Sequence, residues 1–252
     1  MSNVLLRKLE NGADLEDADR RRLDELVIAF ESVPSRTELI GVEENPSDVR
    51  LVIEGFACRY KVLEDGGRQI VGILVPGDFC DLHVAVLGQM DHAIATVTEC
   101  TVVNIPRRSI DDLTRHYPRI TRALWWATLV DEAVLREWLT NMGRRPARQR
   151  LAHLLCELRR RLKTVGQADG ESFVLPFTQT DLADTLGLTT VHINRVMQEL
   201  RAADLISTQG HRITIPDIGR LEAFAGFEPD YLHLRDRGGG AIRGIGPSHA
   251  EG

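Results

Sequence analysis

The sequence predicts an α+β chain: a β-roll in the N-terminal half, one long helix, and a helical C-terminal domain closed by a hairpin. Three observations predict it. Short apolar runs punctuated by glycine fill the stretch from Thr37 to Ile105. An apolar pattern with 4,3,4,3 spacing then runs through 118–142. Last come two helical patterns around one glycine, "TLGLTTVHINRVMQELRAADLI", and the alternating run "LISTQGHRITI".

The 252 residues suffice for two ordinary domains with a sizeable core. With 43% hydrophobic and 27% charged residues the composition is that of a globular protein. The longest apolar runs, such as "ALWWATLV", are too short to cross a bilayer, so no membrane partner is expected. The N-terminus "MSNVLLRKLENGADLED" turns acidic at once and predicts no signal peptide. Cys58, Cys80, Cys100 and Cys156 form no CxxC or CxxH pair. That spacing argues against a zinc site or a disulfide framework, and for buried thiols in a reducing, cytoplasmic setting.

Residues 14–30 read as the first helix, with Leu15, Leu23, Leu26 and Phe30 on its apolar side. Strands follow in "LVIEGFACRYKVL", "RQIVGILV" and "AIATVTECTVVNIP", with Asp65-Gly66-Gly67 permitting a tight hairpin between the first two. In the long helix, Ile120, Leu124, Ala127, Asp131, Val134, Trp138 and Asn141 form a coiled-coil seam with two polar interruptions. So long a seam is most simply covered by the same helix of a second copy, which predicts a homodimer. "GRRPARQ" (Gly143–Gln149) breaks the helix and predicts a hinge. Leu151, Leu154, Leu155, Leu158 and Leu162 mark one face of the next helix. The expected division is 1–117 roll, 118–145 dimerisation helix and hinge, 146–228 C-terminal domain, and 229–252 flexible tail, glycine-rich from Asp236.

Thr178 can cap the helix through Leu186, Ala183 allows a close crossing, and Gly187 permits the tight turn. Thr189 or Thr190 caps the second helix, which turns Ile193, Val196, Met197 and Leu200 inward. Together with the hairpin at Gln209-Gly210 this predicts a winged helix-turn-helix whose second helix enters the DNA major groove. Arg195 suits guanine, Asn194 or Gln198 adenine, and Val191 a thymine methyl. Thr178, Thr180, Thr189, Thr190 and His192 suit phosphates or base edges near the helix N-termini, and His211 and Arg212 can reach phosphate from the wing. Charge gives less support. Residues 146–252 hold 13 Lys and Arg against 13 Asp and Glu, so the net charge of −6 lies in residues 1–145 and DNA contact must use local clusters.

With "EGFACRYKVLEDGGRQIVGILVPGDF" (Glu54–Phe79) and "FTQTDLADTLGLTTVHINRVMQELRAADLIS" (Phe177–Ser207) in this order, residues 15–225 resemble the Crp/Fnr family of bacterial transcription regulators. The resemblance implies a cyclic-nucleotide-binding-like roll, a homodimer reading an inverted repeat in double-stranded DNA, and RNA polymerase as a further partner. It places an effector pocket at Phe79, Cys80, Asp81, Leu82, His83, Asp91, His92 and Ala93. Asp91 falls where cyclic-nucleotide-binding members carry a phosphate-holding arginine, and a carboxylate there repels phosphate, so cyclic AMP is not the expected effector. Iron–sulfur members use cysteines clustered near the N-terminus, and none precedes Cys58. Haem would lean on His83, His92 or Cys80; lone histidines in a β domain are more often structural, and no cofactor or metal is predicted. Val191 stands where the family often has glutamate, which implies a different operator.

A signal at the roll is expected to shift the long helix and, through the hinge, the spacing of two recognition helices, about 34 Å for half-sites one helical turn apart. The competing reading is a ligand- or protein-sensing module whose C-terminal domain contacts protein; its only support is the neutral charge. No Gly-rich phosphate loop, HExxH or GxSxG suggests an enzyme.

Overall fold

The structure, a computed structural model, describes residues 3–235. Helix α1 (Val4–Leu9) starts where the Asn3 side chain accepts from the Leu5 amide, and α2 (Asp17–Asp24) starts in a reciprocal cap between Glu16 and Asp19. The expected helix over 14–30 is therefore shorter. Leu15, Leu23 and Leu26 are buried, but Phe30 is exposed and opens strand β1 (Phe30–Val33), captured by pairing with Val103.

The roll continues with β2 (Glu38–Ile40), β3 (Asp48–Glu54), β4 (Ala57–Val62) and β5 (Arg68–Leu74). Helix α3 (Val84–Leu87), β6 (Ala93–Thr96) and β7 (Cys100–Pro106) complete it. Two antiparallel sheets form, ordered β1-β7-β3 and β2-β6-β4-β5. The apolar run around Gly55 divides into β3 and β4 because Gly55 has φ +85°, and a Cβ there would lie 2.3 Å from the Glu99 carbonyl oxygen. The β4–β5 hairpin turns at 63–67 as the glycines foretold, with the Gly67 amide donating to Asp65 Oδ1.

After α4 (Arg107–His116) comes α5 (Pro118–Arg144), the long helix, in which Gly143 stays helical. The chain breaks at Arg145, which is extended, and α6 (Ala147–Thr164) follows Pro146. The seam drawn on α5 is covered by its own chain rather than left for a second copy. Ile120, Leu124 and Ala127 pack with Leu5 and Leu9 of α1 and with the roll; Val134 and Trp138 pack with the leucines of α6. Its polar interruptions also find partners within the chain: Asp131 accepts from Arg59, and Asn141 Nδ2 lies 3.1 Å from His153 Nδ1. Left uncovered is the neighbouring stripe of Trp125, Leu129, Leu135 and Leu139.

The C-terminal domain comprises β8 (Ala168–Asp169), β9 (Ser172–Val174), α7 (Gln179–Leu186), α8 (Thr190–Ala202), β10 (Ser207–Gln209), β11 (Arg212–Thr214) and α9 (Ile218–Ala225). Its sheet runs β10-β11-β9-β8, so the wing hairpin is braced by two further strands. All five expected α6 leucines are buried. Residues 229–235, expected within the tail, are folded instead: Leu232 is 1% exposed and the Tyr231 hydroxyl donates to Glu157 Oε2. The rest of the expected tail, from Asp236, lies outside the described residues.

Candidate nucleic-acid interface and sensor cavity

The helix-turn-helix follows from its caps. The Thr178 hydroxyl accepts from the Asp181 amide while the Asp181 carboxylate accepts from the Thr178 amide and hydroxyl, which starts α7. Gly187 ends α7 at φ +62°. Thr189 starts α8 by accepting from the His192 amide. Ile193, Val196 and Leu200 are buried beneath α8, with Met197 partly buried.

The opposite face of α8 is free of the fold. Thr190, Val191, Asn194, Arg195 and Gln198 are exposed, Val191 at 79%. Gln198 Nε2 donates to Asn194 Oδ1 at 3.2 Å, and Arg195 is only loosely held, with Nε 3.7 Å from Glu199 Oε1. Arg212 and His211 are exposed on the wing, and Thr180 on α7. Thr178 is exposed too, but its hydroxyl proton is committed to Asp181. His192 is half-buried beside that exposed face. Sequence reasoning missed Arg201, which ties α8 to the wing by donating to Thr208 Oγ1, and Arg148, whose Nε lies 3.7 Å from Glu199.

Two arginines of the roll hold α7. Arg36 donates to both oxygens of Asp181 at 2.7 Å, and Arg68 spans Asp181 (2.8 Å) and Asp184 (2.7 Å). Burial alone would raise the Asp181 carboxyl; hydrogen bonds from Arg36, Thr178 and Arg68 outweigh it and hold the group well below the usual carboxylate range. In the "VPGDF" loop, Asp78 accepts from the Val75 amide and from Arg161 of α6, and pairs with Lys8. Arg161 also donates to Glu157, which accepts in turn from Trp138 of α5. Roll, long helix and C-terminal domain thus share one buried polar network.

At the junction of roll and α5 lies an open cavity of about 540 Å³. Of the expected pocket residues, Phe79, Leu82, His83, Asp91 and His92 line it; Cys80, Asp81 and Ala93 do not. Those three face into the roll instead, because each occupies the buried side of its turn or strand. Asp81 Oδ1 accepts from the Arg50 amide, and burial pushes its carboxyl up to about 6. All four cysteines are buried free thiols, and burial raises each of them, Cys58 and Cys100 to about 11. Sequence reasoning missed the cavity cations. Arg59 is spent on Asp131 and on the Phe79 and Cys80 carbonyls, while Lys61 Nζ lies 3.6 Å from Asp91. Their alternation with Tyr60 on β4 is the signal that could have placed them on one face.

Comparison with known proteins agrees with this geometry. Residues 30–117 match the cyclic nucleotide-binding domain family and residues 149–224 the Crp-like helix-turn-helix domain family. The chain is 31% identical over 188 residues to the transcriptional activator protein FnrL of Cereibacter sphaeroides, covering 72% of this chain and 74% of that protein. It is 29% identical over 174 residues to the nitrogen fixation regulation protein FixK of Bradyrhizobium diazoefficiens, covering 69% and 72%. Among solved structures, FixK2 from Bradyrhizobium japonicum superposes with a TM-score of 0.71 at 27% identity, covering 79% of this chain and 97% of that one. No helix among the described residues is long and apolar enough to cross a membrane. With its roll, its long helix and its helix-turn-helix domain, the chain belongs to the Crp/Fnr family of DNA-binding transcription regulators.

Proposed function

We propose that two copies of the chain join along the exposed stripe of α5 and present paired α8 helices to an inverted-repeat operator. The observation that carries this reading is the face of α8, where Val191, Asn194, Arg195 and Gln198 stand exposed beside the wing. Arg195 reads guanine, Asn194 or Gln198 adenine, and Val191 a thymine methyl; Thr180, Thr189, Thr190, His192 and Arg212 hold the backbone. Trp125, Leu129, Leu135 and Leu139 support the pairing, since together they make an apolar face that the chain itself leaves in water.

The cavity against α5 receives the signal, and cyclic AMP is a poor candidate for it. Arg59 is already paired and Asp91 projects a carboxylate where a phosphate charge would need a cation. The activator named among the relatives favours contact with RNA polymerase at the bound promoter, in the cytoplasm. Binding to genomic duplex fragments, measured by fluorescence anisotropy across a salt series, tests the reading. Log affinity should fall linearly with log salt, and specific fragments should outcompete random duplex. Equal affinity for every duplex would leave only non-specific contact.

A further inference from the structure

The cavity between roll and α5 holds a cluster of three side chains of metal-binding type that DNA binding does not use. His83 precedes α3, and Asp91 and His92 lead into β6; one donor atom from each lies within 4.8 Å of the other two. Both imidazoles line the cavity, with ring centroids 5.4 Å apart. His92 is 9% exposed, its Nδ1 lies 2.6 Å from Asp91 Oδ1, and its buried Nε2 has no hydrogen-bond partner among the described residues. His83 Nε2 is buried without a partner in the same way. An orphaned buried nitrogen is unfavourable, because it gave up its bond to water and gained none in return. Two in one cavity point to an occupant that takes up their lone pairs.

The surroundings say which kind. A carboxylate on Nδ1 fixes the tautomer that leaves a lone pair on Nε2, the way metal-binding histidines are oriented. The nearby cations are already matched: Lys8 by Asp78, Arg59 by Asp131 and Lys61 by Asp91, with Glu132 adding a further carboxylate to the lining. Two imidazoles completed by water suit zinc or ferrous iron, not magnesium or calcium.

We propose that His83 and His92 bind one first-row divalent transition-metal ion per chain in this cavity, with Asp91 orienting His92 through its Nδ1. The ion sits against the α5 wall of Thr128, Asp131 and Leu135, where its gain or loss alters the packing of the long helix. That regulatory meaning rests on the DNA-binding reading; the binding itself does not.

The test is titration of the chelator-stripped full chain with Co(II), followed by displacement with Zn(II). One ion per chain is expected, with visible bands of nitrogen and oxygen ligation and no intense thiolate charge transfer. His83→Ala, His92→Ala and Asp91→Asn should each weaken zinc binding about tenfold or more. His116→Ala, on the exposed imidazole beside Asp112, should leave it unchanged. Circular dichroism reports folding of each variant; if His92→Ala does not fold, His92→Gln and the native Co(II) spectrum decide. Absence of saturable Co(II) binding, a thiolate band, or undiminished affinity in both histidine variants would overturn the site. DNA affinity of the same stripped chain is measured separately, so failure to bind duplex tells against the recognition helix and not against the metal site.

Discussion

Arg195 and Asp181 are opposites in their contacts: one is only loosely held, the other is bound from several sides. Arg195 has no firm partner in its own fold, which is what a base-reading arginine needs, since a committed side chain must first break its bonds. Arg195→Ala should cost about 1–3 kcal/mol on specific DNA and relax preference at one base pair per half-site, read by anisotropy on single-substituted duplexes. Equal loss on random duplex would reassign Arg195 to phosphate. His153, fully buried in α6, shows the opposite economy of contacts: burial, with Arg145 nearby, pushes its imidazole down to about 4. An unfolded histidine titrates near 6.5, so between pH 6.5 and 4 the unfolded chain binds the extra proton and stability falls as pH falls. Chemical denaturation across that range should show this slope, and His153→Gln should flatten it; an unchanged slope would remove His153 as its source. Legibility was uneven at this scale. The exposed face of α8 could be read from helical period alone, because local spacing sets it. The pairing of Asp181 with Arg36 and Arg68 could not, because those partners lie more than a hundred residues away.

The long helix α5 carries two apolar stripes, and that decides what a substitution does. Val134 and Trp138 face α6, so Val134→Asp should unfold or loosen the chain rather than release intact monomers. Leu139, 74% exposed, lies on the open stripe, and Leu139→Glu should keep the fold and yield monomers by light scattering. A Leu139→Glu protein that remains dimeric would move the interface elsewhere. The 4,3,4,3 spacing identified a real stripe but not its cover. That cover is largely α1, whose six residues make too short a pattern to stand out, and α6, whose leucines form in sequence a face of their own with no sign of their partner. The same limit explains Phe30 and the segment 229–235. Each is placed by a distant partner, β7 in one case and Glu157 in the other, rather than by its own neighbours in sequence.

Across the whole molecule, the roll grips the DNA-binding domain directly, through Arg36 and Arg68 on α7 and through Asp78 on Arg161. Removing one partner of Asp181 leaves a buried carboxylate under-compensated, so Arg68→Ala should lower thermal stability and speed amide exchange in α7. Exchange in α7 matching the unaltered chain would show that this contact does not restrain the domain. The order of roll, long helix and winged helix-turn-helix was legible because each has its own hydrophobic period; the docking between them was not, because it is made by side chains far apart in sequence. The central claim is that two copies seat α8 against base edges. Selection of bound duplexes from a random pool tests it most directly. The enriched sites should be inverted repeats with half-site centres about one helical turn apart, and Arg195→Ala should degrade one position in each half. Recovery of no preferred sequence at moderate ionic strength, with or without added divalent metal, would contradict it.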